Sequence, residues 1–205
     1  MRMAEDTPYA SVRQAADAER QAVADVLTEA FMDDPVICWL FPDPGERGRL
    51  QRHFYRPLLS HPAGEAYLAG RREGASVWLT PAAGQAPYGE RPDGAGEGVD
   101  PVFGESGARL RALGRVLAER HPVHETHLYL PCMGVLRGGR GAGLGSAMLR
   151  HRLARADADG LPAYLEASSL RSRALYLRHG FDDLGAPVSA ADSPLLWPMW
   201  RPRQA

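Results

Sequence analysis

Residues Val135 to Ser146 read VLRGGRGAGLGS, with an apolar strand-like run, HLYLPCMGV, before them (His127 to Val135) and an amphipathic helical pattern from Leu144 after them. A chain that passes from a strand through glycines into a helix leaves the first helical N–H groups unpaired. It also places roughly half a positive charge of helix dipole beside them. This segment therefore demands an α/β arrangement with a seat for an anion at the strand–helix junction. Glycines 138, 139, 141, 143 and 145 are expected to supply positive φ and a backbone that a ligand can approach without meeting a Cβ.

The spacing argues against two common phosphate ligands. A nucleoside triphosphate loop of the G-x-x-x-x-G-K-[ST] type needs a lysine, and all 24 basic residues of this chain are arginine. A dinucleotide fingerprint needs G-x-G-x-x-G, but counting from Gly139, Gly141 or Gly143 the sixth residue is Leu144, Ser146 or Met148. What remains is R-x-x-G-x-G, formed by Arg140, Gly143 and Gly145. In this setting the pattern resembles the acetyl-CoA pyrophosphate loop of the GNAT superfamily of N-acetyltransferases. LPAYLEAS (Leu161 to Ser168) reads as the next strand, and SLRSRALYLRHGF (Ser169 to Phe181) is similar to the family's following helix, with its tyrosine and terminal Gly-Phe. The resemblance covers residues 125–201 well and the N-terminal half in outline. The order of the pieces is also similar to puromycin-type acetyltransferases of actinobacteria, with WPMW (Trp197 to Trp200) as the final strand.

Composition bounds the remaining classes. With 205 residues, 44% of them hydrophobic, the chain suits one domain with a sizeable core. A formal net charge of −1 and no arginine cluster interleaved with aromatics give no field for nucleic acid. No run long and apolar enough for a membrane span or a secretory leader is found, and Cys38 and Cys132 suit a reducing compartment, so a cytoplasmic location is expected.

Along the chain, a short strand is expected at Tyr9 to Arg13, then a helix capped by Asp17 with Val23, Leu27 and Phe31 on one face, stopped by Asp33, Asp34 and Pro35. The run VICWLF (Val36 to Phe41) is apolar throughout, and a helix carrying Leu50, Phe54 and Leu58 follows Pro42 and Pro44. Ala66 to Ala69 and Ala75 to Thr80 read as a hairpin across Gly70 to Gly74. Pro81 to Gly107 is rich in glycine and proline and reads as a loop, either a lid over an acceptor site or a disordered insertion. Ser106 to Arg120 reads as a helix with Leu110, Leu113 and Leu117 inward. Pro131 cannot complete a ladder within its strand, so a bulge or splay is implied there. The resemblance implies one GNAT domain: a mixed α/β (α+β) fold with a central, mostly antiparallel sheet flanked by helices and splayed at residues 131–135 and 163–168.

Amine acetylation from a thioester requires a neutral amine, a polarised carbonyl and a stabilised leaving thiolate. The resemblance gives Tyr176 the role of general acid toward the sulfur. Glu166 shares a strand face with Tyr164 and Ser168 and could take the amine proton; whether Glu166 or ordered water does so stays open. Expected acetyl-CoA contacts are the backbone of Met133 and Val135, the loop residues Arg140, Gly141, Ala142, Gly143, Leu144, Gly145 and Ser146, and Ser172, which stands where many relatives carry an asparagine. Phe31, Asp34 and Trp39 are candidates for the acceptor pocket.

His121, His124 and His127 with Glu125 do not have the H-E-x-x-H spacing of a helical zinc site, and no metal is expected. One of these histidines is a candidate to face the acceptor. Cys132 lacks a placed base and reads as core rather than nucleophile. The expected activity is acetyl transfer from acetyl-CoA to a primary amine of a small molecule, an antibiotic or other metabolite, by direct attack in a ternary complex. A protein N-terminus or polyamine as acceptor, a non-catalytic acyl-CoA sensor and a nucleotide-binding module are the alternatives. A monomer or homodimer is expected, with no nucleic-acid or membrane partner.

Overall fold

The computed structural model describes residues 11–85, 87 and 101–204. Seven strands form one sheet: β1 (Val12–Gln14), β2 (Gly64–Ala69), β3 (Gly74–Leu79), β4 (Leu128–Val135), β5 (Ala163–Ala167), β6 (Asp182–Asp183) and β7 (Trp197–Arg201). Their spatial order is β1-β2-β3-β4-β5-β7-β6, and among the described residues only β4 and β5 run parallel. Six helices cover it: α1 (Arg20–Ala30), α2 (Pro35–Leu40), α3 (Pro44–Leu59), α4 (Ser106–Arg120), α5 (Leu144–Ala158) and α6 (Leu170–Leu177). None of these helices is long and apolar enough to cross a membrane.

The sheet opens where proline interrupts it. β4 pairs with β5 through Leu128↔Ala163, Tyr129↔Tyr164 and Leu130↔Leu165, and the pairing stops at Pro131, which has no N–H to contribute. On the other side of β4, Val77 faces Cys132 while Leu79 faces Tyr129, so two steps on β3 match three on β4. The extra residue is a β-bulge, and it inverts the alternation of β4. Leu128 and Leu130 pack with Leu149 and Leu153 of α5, whereas Cys132 joins Val23 and Leu27 of α1 and Tyr55 of α3 on the opposite face. The expected splay is thus present from Pro131 onward on β4, but on β5 it begins at Glu166, because Ala163 to Leu165 remain paired.

Other expectations are adjusted in their boundaries. The first strand is Val12–Gln14, with Tyr9 and Ala10 outside the described residues. Asp17 does not cap α1; Asp17–Glu19 form a 3-10 turn, and the Asp17 carboxylate takes the Arg20 guanidinium at 2.8 Å. Asp34 ends one helical segment and starts another: its Oδ1 accepts from the N–H of Val36 and Ile37, Pro35 occupies the first turn, and the apolar run becomes α2. Much of the expected loop lies outside the described residues, but Pro101–Phe103 form a 3-10 turn and Ser106 already belongs to α4. A second, smaller core joins α2 and α4 to the segment before β7 through Ile37, Leu40, Leu113, Leu117, Val188 and Leu196.

The end of α1 lies directly on β4. A Cβ added at Gly134 would stand 2.7 Å from the Ala30 Cβ and 3.0 Å from the Phe31 ring, closer than side chains approach. Gly134→Ala must therefore push α1 off the sheet and is expected to destabilise the fold by about 1–3 kcal/mol. A lowered urea midpoint with an unchanged m-value checks this, and an unchanged midpoint refutes the contact.

Candidate active site

The β4–α5 connection forms a 3-10 turn (Arg137–Gly139) followed by the start of α5 at Leu144. Positive φ is needed at only two of the five glycines, Gly141 (+89°) and Gly143 (+81°). At both, an added Cβ would meet nothing within 4 Å, so the backbone faces open space. Gly138 and Gly139 belong to the 3-10 turn, and Gly145 is inside α5, where a Cβ would press on Leu175 at 3.2 Å. Positive φ is thus not the reason for those three glycines.

A cleft of about 560 Å³ runs from this loop along the open edge of β4. Met133, Val135, Arg140, Gly141, Gly143, Leu144, Gly145, Ser146 and Ser172 line it, as do Phe31 and Asp34. Ala142 and Trp39 are not among its lining residues. The Trp39 indole instead donates to Asp192 Oδ1 at 2.9 Å, and the Arg109 guanidinium lies over its ring, which ties α2 to α4 and the segment before β7. Its place in the helices that cover the acceptor end of the resembled fold pointed to Trp39, and packing claims it.

The Arg140 side chain is likewise not free for an anion. Its Nε donates to the Val135 carbonyl (3.2 Å) and its Nη2 to the Ala30 carbonyl at the end of α1 (3.0 Å). The Arg140 guanidinium therefore fastens the loop to α1 at the border of the cleft. Arg137 reinforces this by reaching Asp33 at 2.6 Å. Ser172 forms a reciprocal cap with Ser169 at the start of α6: Ser172 N donates to Ser169 Oγ (3.1 Å) and Ser169 N to Ser172 Oγ (3.2 Å). Asp34, beyond its cap bonds, accepts from the Ser168 hydroxyl at 2.9 Å, and burial raises its pKa against those three hydrogen bonds. Ser168, Arg171 and Arg178 were missed as cleft residues. The seven-residue interval between the two arginines, two helical turns on one stripe, was the available signal.

Neither Glu166 nor Tyr176 is among the cleft's lining residues: Glu166 sits where β4 and β5 part, and Tyr176 of α6 is buried in the core with Leu165 and Phe181. Glu166 is the first β5 residue past the last β4 partner. Its Oε2 accepts from the Tyr129 hydroxyl at 2.9 Å, the Tyr164 phenol lies near, and Oε1 is buried with no partner among the described residues. Burial, outweighing the two phenols, pushes its pKa up to about 7. Tyr176 packs edge-on against Phe181, and burial first, then Cys132 and Asp34, hold its phenol well above the usual range and therefore protonated at neutral pH.

Behind Glu166, His121 and His127 share a 3.0 Å Nε2···Nε2 contact, and His127 Nδ1 meets the Glu125 carbonyl at 3.0 Å. Burial pushes His121 down to about 3 and also lowers His127. His124 instead sits at the surface beside Glu125. Cys132 is buried and its thiol is pushed up to about 12 by desolvation, which fits a core residue.

The Glu166 shift fixes a sign. A carboxyl whose folded pKa exceeds its unfolded value binds more protons when folded, so stability falls as pH rises from the ordinary 4.5 through about 7. Glu166→Gln removes that slope. Its stability relative to the parent is expected to improve between pH 4 and pH 8 by up to about 3 kcal/mol. Parallel pH–stability curves for the two proteins contradict this placement of the charge.

The family model for the acetyltransferase (GNAT) family matches residues 28–181. A solved structure described as histone acetyltransferase HPA2 and related acetyltransferase, from Corynebacterium glutamicum, is 31% identical, with 95% of this chain and 97% of that chain covered and a TM-score of 0.69. Arylalkylamine N-acetyltransferase 2 from Aedes aegypti shares the fold at 12% identity, covering 93% and 96%, with a TM-score of 0.68. An agmatine N-acetyltransferase does so at 15% identity, covering 93% and 97%, with a TM-score of 0.63. The mostly antiparallel sheet, its one parallel pair and its fork are those of an acyltransferase, and the chain belongs to the GNAT acetyltransferase family.

Proposed function

We propose that this protein transfers the acetyl group of acetyl-CoA to the primary amine of a small molecule, by direct attack within a ternary complex. The observation that carries the reading is the fork: an anion-binding loop, an unpaired β4 edge and a buried carboxyl of near-neutral pKa converge where β4 and β5 part. The backbone amides of Gly141, Gly143, Leu144, Gly145 and Ser146 fit the diphosphate, because open space stands over Gly141 and Gly143 and the start of α5 adds its dipole. The β4 edge past Pro131 fits the extended pantetheine arm as an added strand.

The chemistry then assigns each group a proton. The amine nitrogen attacks the thioester carbon, the C–S bond breaks, the nitrogen gives its proton to Glu166 directly or through a water, and Tyr176 donates to the departing sulfur. A carboxyl of pKa about 7 is half ionised at neutral pH and so matched to that task. The raised phenol remains a workable donor because the same dry surroundings raise the basicity of a thiolate beside it. The arylalkylamine and agmatine N-acetyltransferases that share the fold support a small amine as acceptor.

The deciding experiment is a panel of amines with acetyl-CoA, antibiotics, polyamines and peptides included, read by released thiol. Turnover with small amines and none with peptides supports the reading, whereas acetyl-CoA binding without turnover leaves only a sensor. Gly143→Asp is expected to abolish coenzyme A binding in calorimetry, by charge repulsion and by strain at a φ of +81°. Tyr176→Phe is expected to lower kcat by about 10²-fold with coenzyme A affinity unchanged. The kcat/KM profile is expected to rise with pH through about 7, a limb that Glu166→Gln removes.

A further inference from the structure

The outer faces of α1 and α3 enclose a second cavity that has no part in the acyl-transfer cleft. It measures about 270 Å³ and is lined by Arg20 of α1, Arg49, Arg52, His53 and Arg56 of α3, and an apolar floor that includes Leu59. No acidic side chain lines it. On α3 the bases recur at intervals of three and four, which places them on one stripe facing Arg20. Ten residues of α1 separate Arg20 from Ala30 at the cleft, about 15 Å along the helix axis.

The fold does not account for these arginines. Arg47, on the same helix, shows what a structural arginine looks like here: it donates to the carbonyls of Phe41, Met32 and Pro42. The groove arginines have looser attachments. Arg20 pairs with Asp17 at 2.8 Å, Arg52 with Asp25 at 3.0 Å and Arg49 with Glu46, all of them exposed pairs on the rim. Such pairs contribute little and exchange readily. Arg56 and His53 have no acidic partner among the described residues. The carboxylates of Asp17, Asp25 and Glu46 offset three of the four guanidiniums from outside the cavity, whereas Arg56 on its lining has no carboxylate beside it among the described residues. The forked donors match phosphate oxygens, and the cavity's size suits a small molecule with an apolar portion rather than a polymer.

We propose that this groove is a binding site for a small phosphate-bearing anion, distinct from the coenzyme cleft. The test is calorimetry with inorganic pyrophosphate on the full chain at low salt, in two arms: the parent saturated with coenzyme A, and Gly143→Asp without it. Saturable one-site binding is expected in both. The second arm reads the groove even if the cleft does not take coenzyme A, so failure of the acetyltransferase reading and failure of this one are distinguishable. Arg49→Ala/Arg56→Ala should weaken pyrophosphate at least about tenfold, and Arg49→Lys/Arg56→Lys should fall between, since lysine keeps charge and loses the fork. Both double variants alter exposed side chains and should keep the parent's melting temperature.

Absence of saturable binding in either arm, or unchanged affinity in the alanine double variant, overturns the proposal. A single-stranded oligonucleotide of about 20 residues that binds more tightly than pyrophosphate, with steep salt dependence, also overturns it in favour of a nucleic-acid face.

Discussion

Pro131 brings no N–H to the ladder, and the cleft runs along the β4 edge that follows it. Three paired residues hold β4 to β5, the bulge then turns β4, and the two strands part with an unpaired backbone edge between them. An unpaired edge inside a sheet would ordinarily be a defect needing cover. Here the glycine loop that follows β4 and the serine-capped start of α6 that follows β5 close the two sides of the opening. The same bulge reverses which face each β4 side chain takes, placing Cys132 under α1 and Met133 toward α5. Without it, alternation would have carried Cys132 to the α5 face with Leu130.

The turn between α1 and α2 holds both walls of the opening. Ala30 and Asp33 receive Arg140 and Arg137 from the loop after β4, while Asp34 receives Ser168 from the end of β5. Five consecutive residues therefore span the fork, and Gly134 lets α1 come close enough to do so. This gives the R-x-x-G-x-G pattern a mechanical content beyond its glycines. The arginine reaches out of the loop to satisfy a helix-end carbonyl, and in doing so ties the glycine loop to the side of the cleft bordered by Phe31.

Local patterns made much of this legible in the sequence, and long-range ones did not. The strand–glycine–helix junction, the hairpin over β2 and β3, α4 and the interruption at Pro131 each follow from neighbours within a few residues. VICWLF has no polar residue to mark a period, so its helical state depends on Asp34 acting as a cap, and the same Asp34 also reads as a stop. The destinations of the Arg140 guanidinium and the Trp39 indole lie 110 and 153 residues away in the chain, where no local spacing rule reaches. Of the candidate chemical groups, all the loop residues but Ala142 line the cleft, whereas Glu166 and Tyr176 do not, and only the register of β4 against β5 shows that Glu166 is the first residue past the fork.

That position also explains how a carboxyl can stay poised near neutrality. Phenols from Tyr129 and Tyr164 lower the pKa of Glu166, and burial raises it by more. A cation nearby would tip the balance and leave a permanently ionised, weakly basic carboxylate. The candidate cation is His121, whose ring meets both tyrosines edge-on with centroids 4.8 and 4.9 Å away. It stays neutral because the burial that raises Glu166 also pushes His121 down to about 3, and His127 at 3.0 Å disfavours a second proton on the pair. One dry aromatic layer thus acts on a base and an acid in opposite directions. Its net effect is an uncharged surround for the Glu166 carboxyl.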